Sequence, residues 1–146
     1  MQFEQDNDTY IIYLEKDDRI MDSLTQFCKD HNINNGKISG IGAIKKIELG
    51  AYDLINKKYI SHYFEDIWEL TSFQGNIQLK EEDPFIHAHI NISNHDLNPK
   101  GGHLFEATVA AVGEFVLNKI HTLGKRVLNP DIGLACMVLD LSLIHI

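Results

Sequence analysis

The spacing of apolar residues changes once along the chain, from helical to alternating. Thr9 to Leu14, rich in Tyr and Ile, reads as a first strand. Ile20, Leu24, Phe27 and Cys28 then fall at i, i+4, i+7 and i+8, one stripe of an amphipathic helix. That helix should end near His31, because Asn34-Asn35-Gly36 is a turn signal. From Gly36 onward the period is two. Lys37 to Ile44, Ile47 to Tyr52, Tyr59 to Phe64 and Ile67 to Phe73 read as strands, with a tight turn expected at Gln74-Gly75-Asn76 before Ile77 to Lys80. Glu81 to Asp83 forms an acidic loop closed by Pro84. Phe85 to Ser93 alternates cleanly, and the Asn-, Pro- and Gly-rich stretch Asn94 to Gly102 reads as a loop. His103 to Ala110 and Val112 to Ile120 suggest a strand pair, and Cys136 to Leu141 a last strand. Thr122 to Gly133 carries no clear period.

One early helix followed by many short strands is an α+β pattern, not an alternating βαβ one. There is no internal repeat, low-complexity tract or linker, so residues 1–146 are expected to form a single compact domain with one main N-terminal helix. A chain of this length can bury a core without disulfides. Cys28 and Cys136 lie far apart and outside any C-x-x-C pattern, which predicts two free, buried thiols. No run of about 18 apolar residues occurs, so no membrane-spanning helix is expected. The segment Met1 to Tyr10 is polar and acidic and does not resemble a signal peptide, which makes the cytoplasm the expected location. A formal net charge of −8 repels nucleic-acid phosphates at long range. The small basic clusters Lys45-Lys46, Lys57-Lys58, Lys119 and Lys125-Arg126 read as solvated surface.

The chemistry concentrates in the alternating stretch. Ile86, Ala88, Ile90 and Ile92 share one strand face; Phe85, His87, His89, Asn91 and Ser93 share the other. Two imidazoles two residues apart on one face are roughly 6 to 7 Å apart at the backbone, close enough to converge on one ion. If Asn94 to Gly102 returns the chain antiparallel, His103 becomes a third arm, with Gly101 and Gly102 permitting close backbone approach or positive φ. Three neutral imidazoles with an open position suit zinc first, then nickel, cobalt or iron(II). Water or an unidentified small ligand would fill that position. Such a site would lose its metal as protonation of ordinary histidines sets in, below about pH 6.

His31, His62, His95, His121 and His145 have no partner at ligand spacing, although His95 is a reserve candidate in its loop. Gly40-Ile41-Gly42 follows a strand, but no third glycine and no helix pattern follow, so it is not a dinucleotide fingerprint. These glycines suggest close packing or a bulge. No nucleophile elbow, Walker loop or EF-hand occurs.

Several motifs in order resemble one family: Ser39-Gly40-Ile41-Gly42-Ala43, Leu49-Gly50 with Tyr52-Asp53, Glu69-Leu70-Thr71-Ser72 with Gly75-Asn76, Pro84-Phe85 with His87 and His89, and Gly101-Gly102-His103-Leu104. Together they look like the PPC (plants and prokaryotes conserved) domain in its stand-alone prokaryotic form. The resemblance covers roughly residues 8–142. It implies a strongly bent, mostly antiparallel sheet with few helices, a homotrimer, and a three-histidine metal site at His87, His89 and His103. It also implies a regulatory or DNA-binding role. In plant members the AT-hook outside the domain grips DNA; this chain has no such basic segment.

Two functions follow as expectations. One is a trimeric metal-binding module that works by binding DNA or a small ligand. The other is a zinc-dependent metalloenzyme acting on a small molecule, whose metal-bound water would need a general acid or base. Glu69 and Glu106, each in a motif stretch, are the carboxylates to test in that role.

Overall fold

The computed structural model describes residues 1–143. The chain runs β1 (Gln2–Asp6), β2 (Thr9–Leu14), α1 (Ile20–Asp30), β3 (Gly36–Asp53), β4 (Lys58–Phe64), β5 (Trp68–Lys80), β6 (Asp83–Ser93), β7 (Pro99–Lys119), β8 (Lys125–Asn129) and β9 (Leu134–Val138), then a 3-10 turn at Leu141–Leu143. This is the expected α+β class. The sheet is mixed: eight of its strand pairings are antiparallel, and β5 meets β8 in a two-residue parallel pairing.

Four of these strands close on themselves. β3 pairs with β5, β5 with β6, β6 with β7, and β7 with β3. A flat sheet cannot satisfy that circuit, so the strands must curl, with bulges absorbing the bend. One bulge falls between Gly40 and Gly42, where the sequence suggested it; others interrupt the β3–β7 ladder between Gly42 and Leu49. The inside of the curl is the core. Ile12, Leu14, Ile38, Ile44, Phe73 and Phe115 are almost wholly buried there, with Phe73 and Phe115 edge to face. α1 packs Ile20, Leu24, Phe27 and Cys28 into the same core, as its stripe predicts. Burial pushes the Cys28 thiol up to about 12, so it is inert packing.

Several boundaries differ from the pattern. Gln74-Gly75-Asn76 is not a turn; β5 passes straight through it. Gly75 serves packing instead, since a Cβ there would approach Ile38 to 2.9 Å. The two strands expected on either side of Lys45-Lys46 are one long β3, and the two on either side of Ala111 are one long β7. The loop after β6 is only Asn94 to Asn98, because β7 starts at Pro99. β1, made of exposed edge residues, had no apolar alternation to reveal it. The featureless Thr122 to Gly133 stretch contains β8, and the last strand is Leu134–Val138 rather than Cys136 to Leu141. No helix among the described residues is long and apolar enough to cross a membrane.

One bulge falls just before Glu106: β7 advances two residues, from Leu104 to Glu106, where β3 moves by one, from Leu49 to Glu48. Glu106 has a structural job there. Its carboxylate accepts the backbone N–H groups of Met21 (2.8 Å) and Asp22 (3.1 Å) in the first turn of α1, and that of Ala107 (2.9 Å). Arg19, at the N-cap position, offers no side-chain cap of its own. Glu106 thus satisfies orphan helix donors from another element and places its charge at the positive end of the helix. Burial outweighs these bonds and holds its carboxyl above the ordinary range. Replacing it leaves first-turn helix donors without their acceptor, so Glu106→Ala should lower stability by about 1–2 kcal/mol in urea denaturation. An unchanged midpoint would show that the cap contributes nothing.

Candidate metal centre

β6 carries out the alternation in its sequence. Ile86, Ala88, Ile90 and Ile92 are buried in the core, while His87 and His89 stand on the opposite face. The chain returns antiparallel through the short loop, and β7 pairs with β6 so that His103 sits directly opposite His89. The two glycines before His103 supply close approach, not positive φ. A Cβ on Gly102 would come within 2.8 Å of the Gly50 carbonyl oxygen, and one on Gly101 within 3.0 Å of that of Ile90. β7 can therefore lie tight between β3 and β6 at this point.

The three imidazoles converge. Ring centroids lie 5.0 Å apart for His87–His89, 5.4 Å for His87–His103 and 5.7 Å for His89–His103. One nitrogen from each ring lies within 4.8 Å of the others, and no other trio of His, Cys, Asp or Glu side chains converges in this way among the described residues. Around a tetrahedral ion with bonds of about 2.0–2.1 Å, ligand nitrogens sit about 3.3 Å apart. Small ring rotations close that gap, so the donor set fits a divalent metal. His87 and His103 are half-buried and His89 is exposed, leaving the triad open on one side.

Surrounding groups fix the rings. His103 stacks on Tyr59 of β4 at 4.6 Å, meets Phe105 edge to face at 4.9 Å, and has Nδ1 3.5 Å from the Tyr59 hydroxyl. Arg126 of β8 brings Nη2 to 3.5 Å from His87 Nδ1. Burial, helped by the neighbouring imidazoles, lowers His103 to about 4; burial, with Arg126 and His89, lowers His87 as well. Both rings therefore stay neutral, the ligand form, in ordinary buffers, and proton competition at His103 begins well below the pH near 6 expected of free histidines.

Tyr59 and Arg126 were not anticipated. Lys125-Arg126 read as surface, and half of that reading fails: Lys125 reaches toward Glu82 at 3.9 Å, but β8 docks on the end of β5 and turns Arg126 inward over the histidine face. Cys136, on β9, is half-buried beside it rather than in the core. The candidate carboxylates do not join the triad. Glu106 lies on the other face of β7, and Glu69 is exposed opposite Ser93, four residues beyond His89, about 13 Å along the strand. His95 lines a separate cleft with Trp68 and Lys45. His31 stacks on Phe27 at 4.0 Å, His121 meets Asp8 at 2.9 Å, and His62 is exposed on β4; His145 is outside the described residues.

With fold and triad in place, comparison with known proteins gives the class. The model of the Plants and Prokaryotes Conserved (PCC) domain matches residues 1–121, and the chain belongs to this family. A crystal structure from Bacteroides thetaiotaomicron, described as a "putative dna binding protein", is 30% identical over 95% of this chain and 97% of its own, with a TM-score of 0.92. A Pyrococcus horikoshii plant- and prokaryote-conserved protein is 29% identical over 92% of each chain, with a TM-score of 0.82. An Archaeoglobus fulgidus structure described as a "Metal-containing Protein" is 28% identical over 94% of this chain and 96% of its own, with a TM-score of 0.83. No curated protein matches.

The lowered histidines have a consequence for stability. The unfolded chain binds protons at these positions near the ordinary value of 6.5, the folded chain only lower, down to about 4 for His103. The unfolded state therefore takes up more protons in that window, and metal-free protein should lose stability as pH falls from about 6.5 to 4. Proton NMR of the metal-free protein should find the His103 ring titrating near pH 4. A midpoint near 6.5 would mean that the ring is not desolvated.

Proposed function

We propose that this protein is a homotrimeric metal-binding module in which His87, His89 and His103 hold one divalent ion, zinc most readily, and leave a coordination position open. The observation that carries the reading is the placement of three imidazole nitrogens within 4.8 Å of one another on one strand face. Its support includes the archaeal relative described as metal-containing. An all-imidazole set suits zinc and its borderline neighbours better than magnesium or calcium, which take oxygen ligands. Three ligands rather than four is the composition of an open site, one that binds something further, not of a closed structural site.

The trimer has its own support. Ile11 (59% exposed) on β2, Ile41 (54%) on β3 and Val116 (40%) on β7 lie near one another on the outer face of the sheet, Ile11 directly opposite Val116. Tyr13, Thr71 and Ser72 line the same shallow groove. An apolar patch of this kind at the middle of a sheet supports contact between copies of the chain.

The site itself favours a binding module over the metalloenzyme. Among the described residues, no carboxylate stands with the triad to move protons; the Tyr59 hydroxyl and Arg126 are the polar groups that contact it. A regulatory function through DNA rests on the likeness to the Bacteroides relative so described. The net charge of −8 opposes it, so any DNA affinity should vanish at physiological salt.

Purified protein should carry about one zinc-type ion per chain by plasma mass spectrometry, and His87→Ala with His89→Ala should abolish it. Full metal content in the double variant would remove the site assignment. In sedimentation velocity the native protein should run as a trimer, and Ile11→Glu with Ile41→Glu should shift it toward monomer. A monomeric native protein would remove the trimer.

A further inference from the structure

A cavity of about 450 Å3 opens beside the triad, within the ~300–1,000 Å3 typical of small-molecule sites. His87 and His103 form one end. Tyr59, Phe85 and Phe105 give it aromatic walls, and the β8–β9 hairpin contributes Arg126, Leu134 and Met137.

The charge in this cavity is of one sign. Lys80 Nζ lies 4.8 Å from the centre of the Phe85 ring and the Arg126 guanidinium carbon 5.7 Å from it, so both cations lie over one aromatic ring. Neither makes an ion pair with a carboxylate among the described residues, in a chain with a net charge of −8. Arg126 is under-satisfied as well. Nη1 donates to the Ala135 carbonyl oxygen at 3.3 Å, and buried Nε has no partner. A half-buried guanidinium with a buried, unpaired Nε and no carboxylate partner lacks an acceptor.

The contact with His87 sharpens this. Arg126 Nη2 faces His87 Nδ1 at 3.5 Å. If His87 binds metal through Nδ1, the guanidinium confronts a cation at close range. If it binds through Nε2, Nδ1 keeps its hydrogen, and two donors face each other. Either arrangement is relieved by the same thing: an anion that accepts from Arg126 beside the histidines.

We infer that this cavity binds a small organic carboxylate with a flat apolar body, its carboxylate held by Arg126 and Lys80 and its body between Tyr59, Phe85 and Phe105. The inference rests partly on the metal reading above, because a bound ion adds positive charge at the histidine end; the arginine, the lysine and the aromatic walls stand without it. The guanidinium fork fits carboxylate and phosphate alike; carboxylate is favoured because the aromatic walls suit a flat apolar body, which inorganic phosphate lacks.

Benzoate, with benzamide as its uncharged isostere and inorganic phosphate as the rival anion, tests the idea by calorimetry on both metal-loaded and metal-stripped protein. Native protein should bind benzoate in the millimolar range or tighter, and benzamide and phosphate at least about tenfold more weakly. Arg126→Leu should weaken benzoate about tenfold in the metal-stripped as well as the metal-loaded protein, which separates this site from the triad. Lys80→Met should weaken it severalfold and serves if Arg126→Leu does not fold. Loss of metal in native protein with benzoate binding retained would overturn only the metal reading. Equal affinity for benzoate and benzamide, tighter binding of phosphate, no benzoate binding in either form, or full affinity in the folded cavity variants would overturn the carboxylate site.

Discussion

The five-residue pairing of β6 with the start of β7 is the constraint on which the rest of the structure depends. It runs from His89 opposite His103 to Ser93 opposite Pro99 and completes the circuit of four strands. Without it the sheet would be an open array with β6 at an edge; with it the strands must curl and enclose the isoleucine and phenylalanine side chains that α1 seals. The same ladder sets the register of the site. A slip of one residue would turn His89 into the core and Ile90 out, so the burial of four alternating apolar residues on β6 holds the histidines on their face. Core and centre are two sides of one strand.

The polar features divide along the same line. On the core side of β7, Glu106 is used up by helix donors, which explains a motif carboxylate without any chemistry. On the other side, neutral imidazoles, aromatic rings and unpaired cations gather with no carboxylate among the described residues. Desolvation acts oppositely on the two: it raises the acid and lowers the bases, and both shifts favour the neutral form.

The triad was readable in the sequence because its determinants are local. Alternation needs only neighbouring residues to place His87 and His89, and a short loop with two glycines is enough to suggest His103. The helix was readable for the same reason. What escaped depends on partners distant in the chain. Gly75 looks like a turn until Ile38 is seen packed against it, and the continuity of β3 and β7 is imposed by the ladders they share. β1 has no buried face to leave a pattern. Arg126 sits beside a lysine in a stretch without period, and only the parallel pairing of Lys80 with Arg126 turns it inward.

That last pairing joins two regions of the chain at one cavity. The histidines stand on β6 and β7 inside the closed circuit, whereas Arg126, Leu134 and Met137 reach the cavity on the β8–β9 hairpin, which meets β5 in a ladder of two residue pairs. A hairpin fastened by so short a ladder should open more readily than strands locked in the ring. One wall of the cavity can then swing while the histidine face keeps its register.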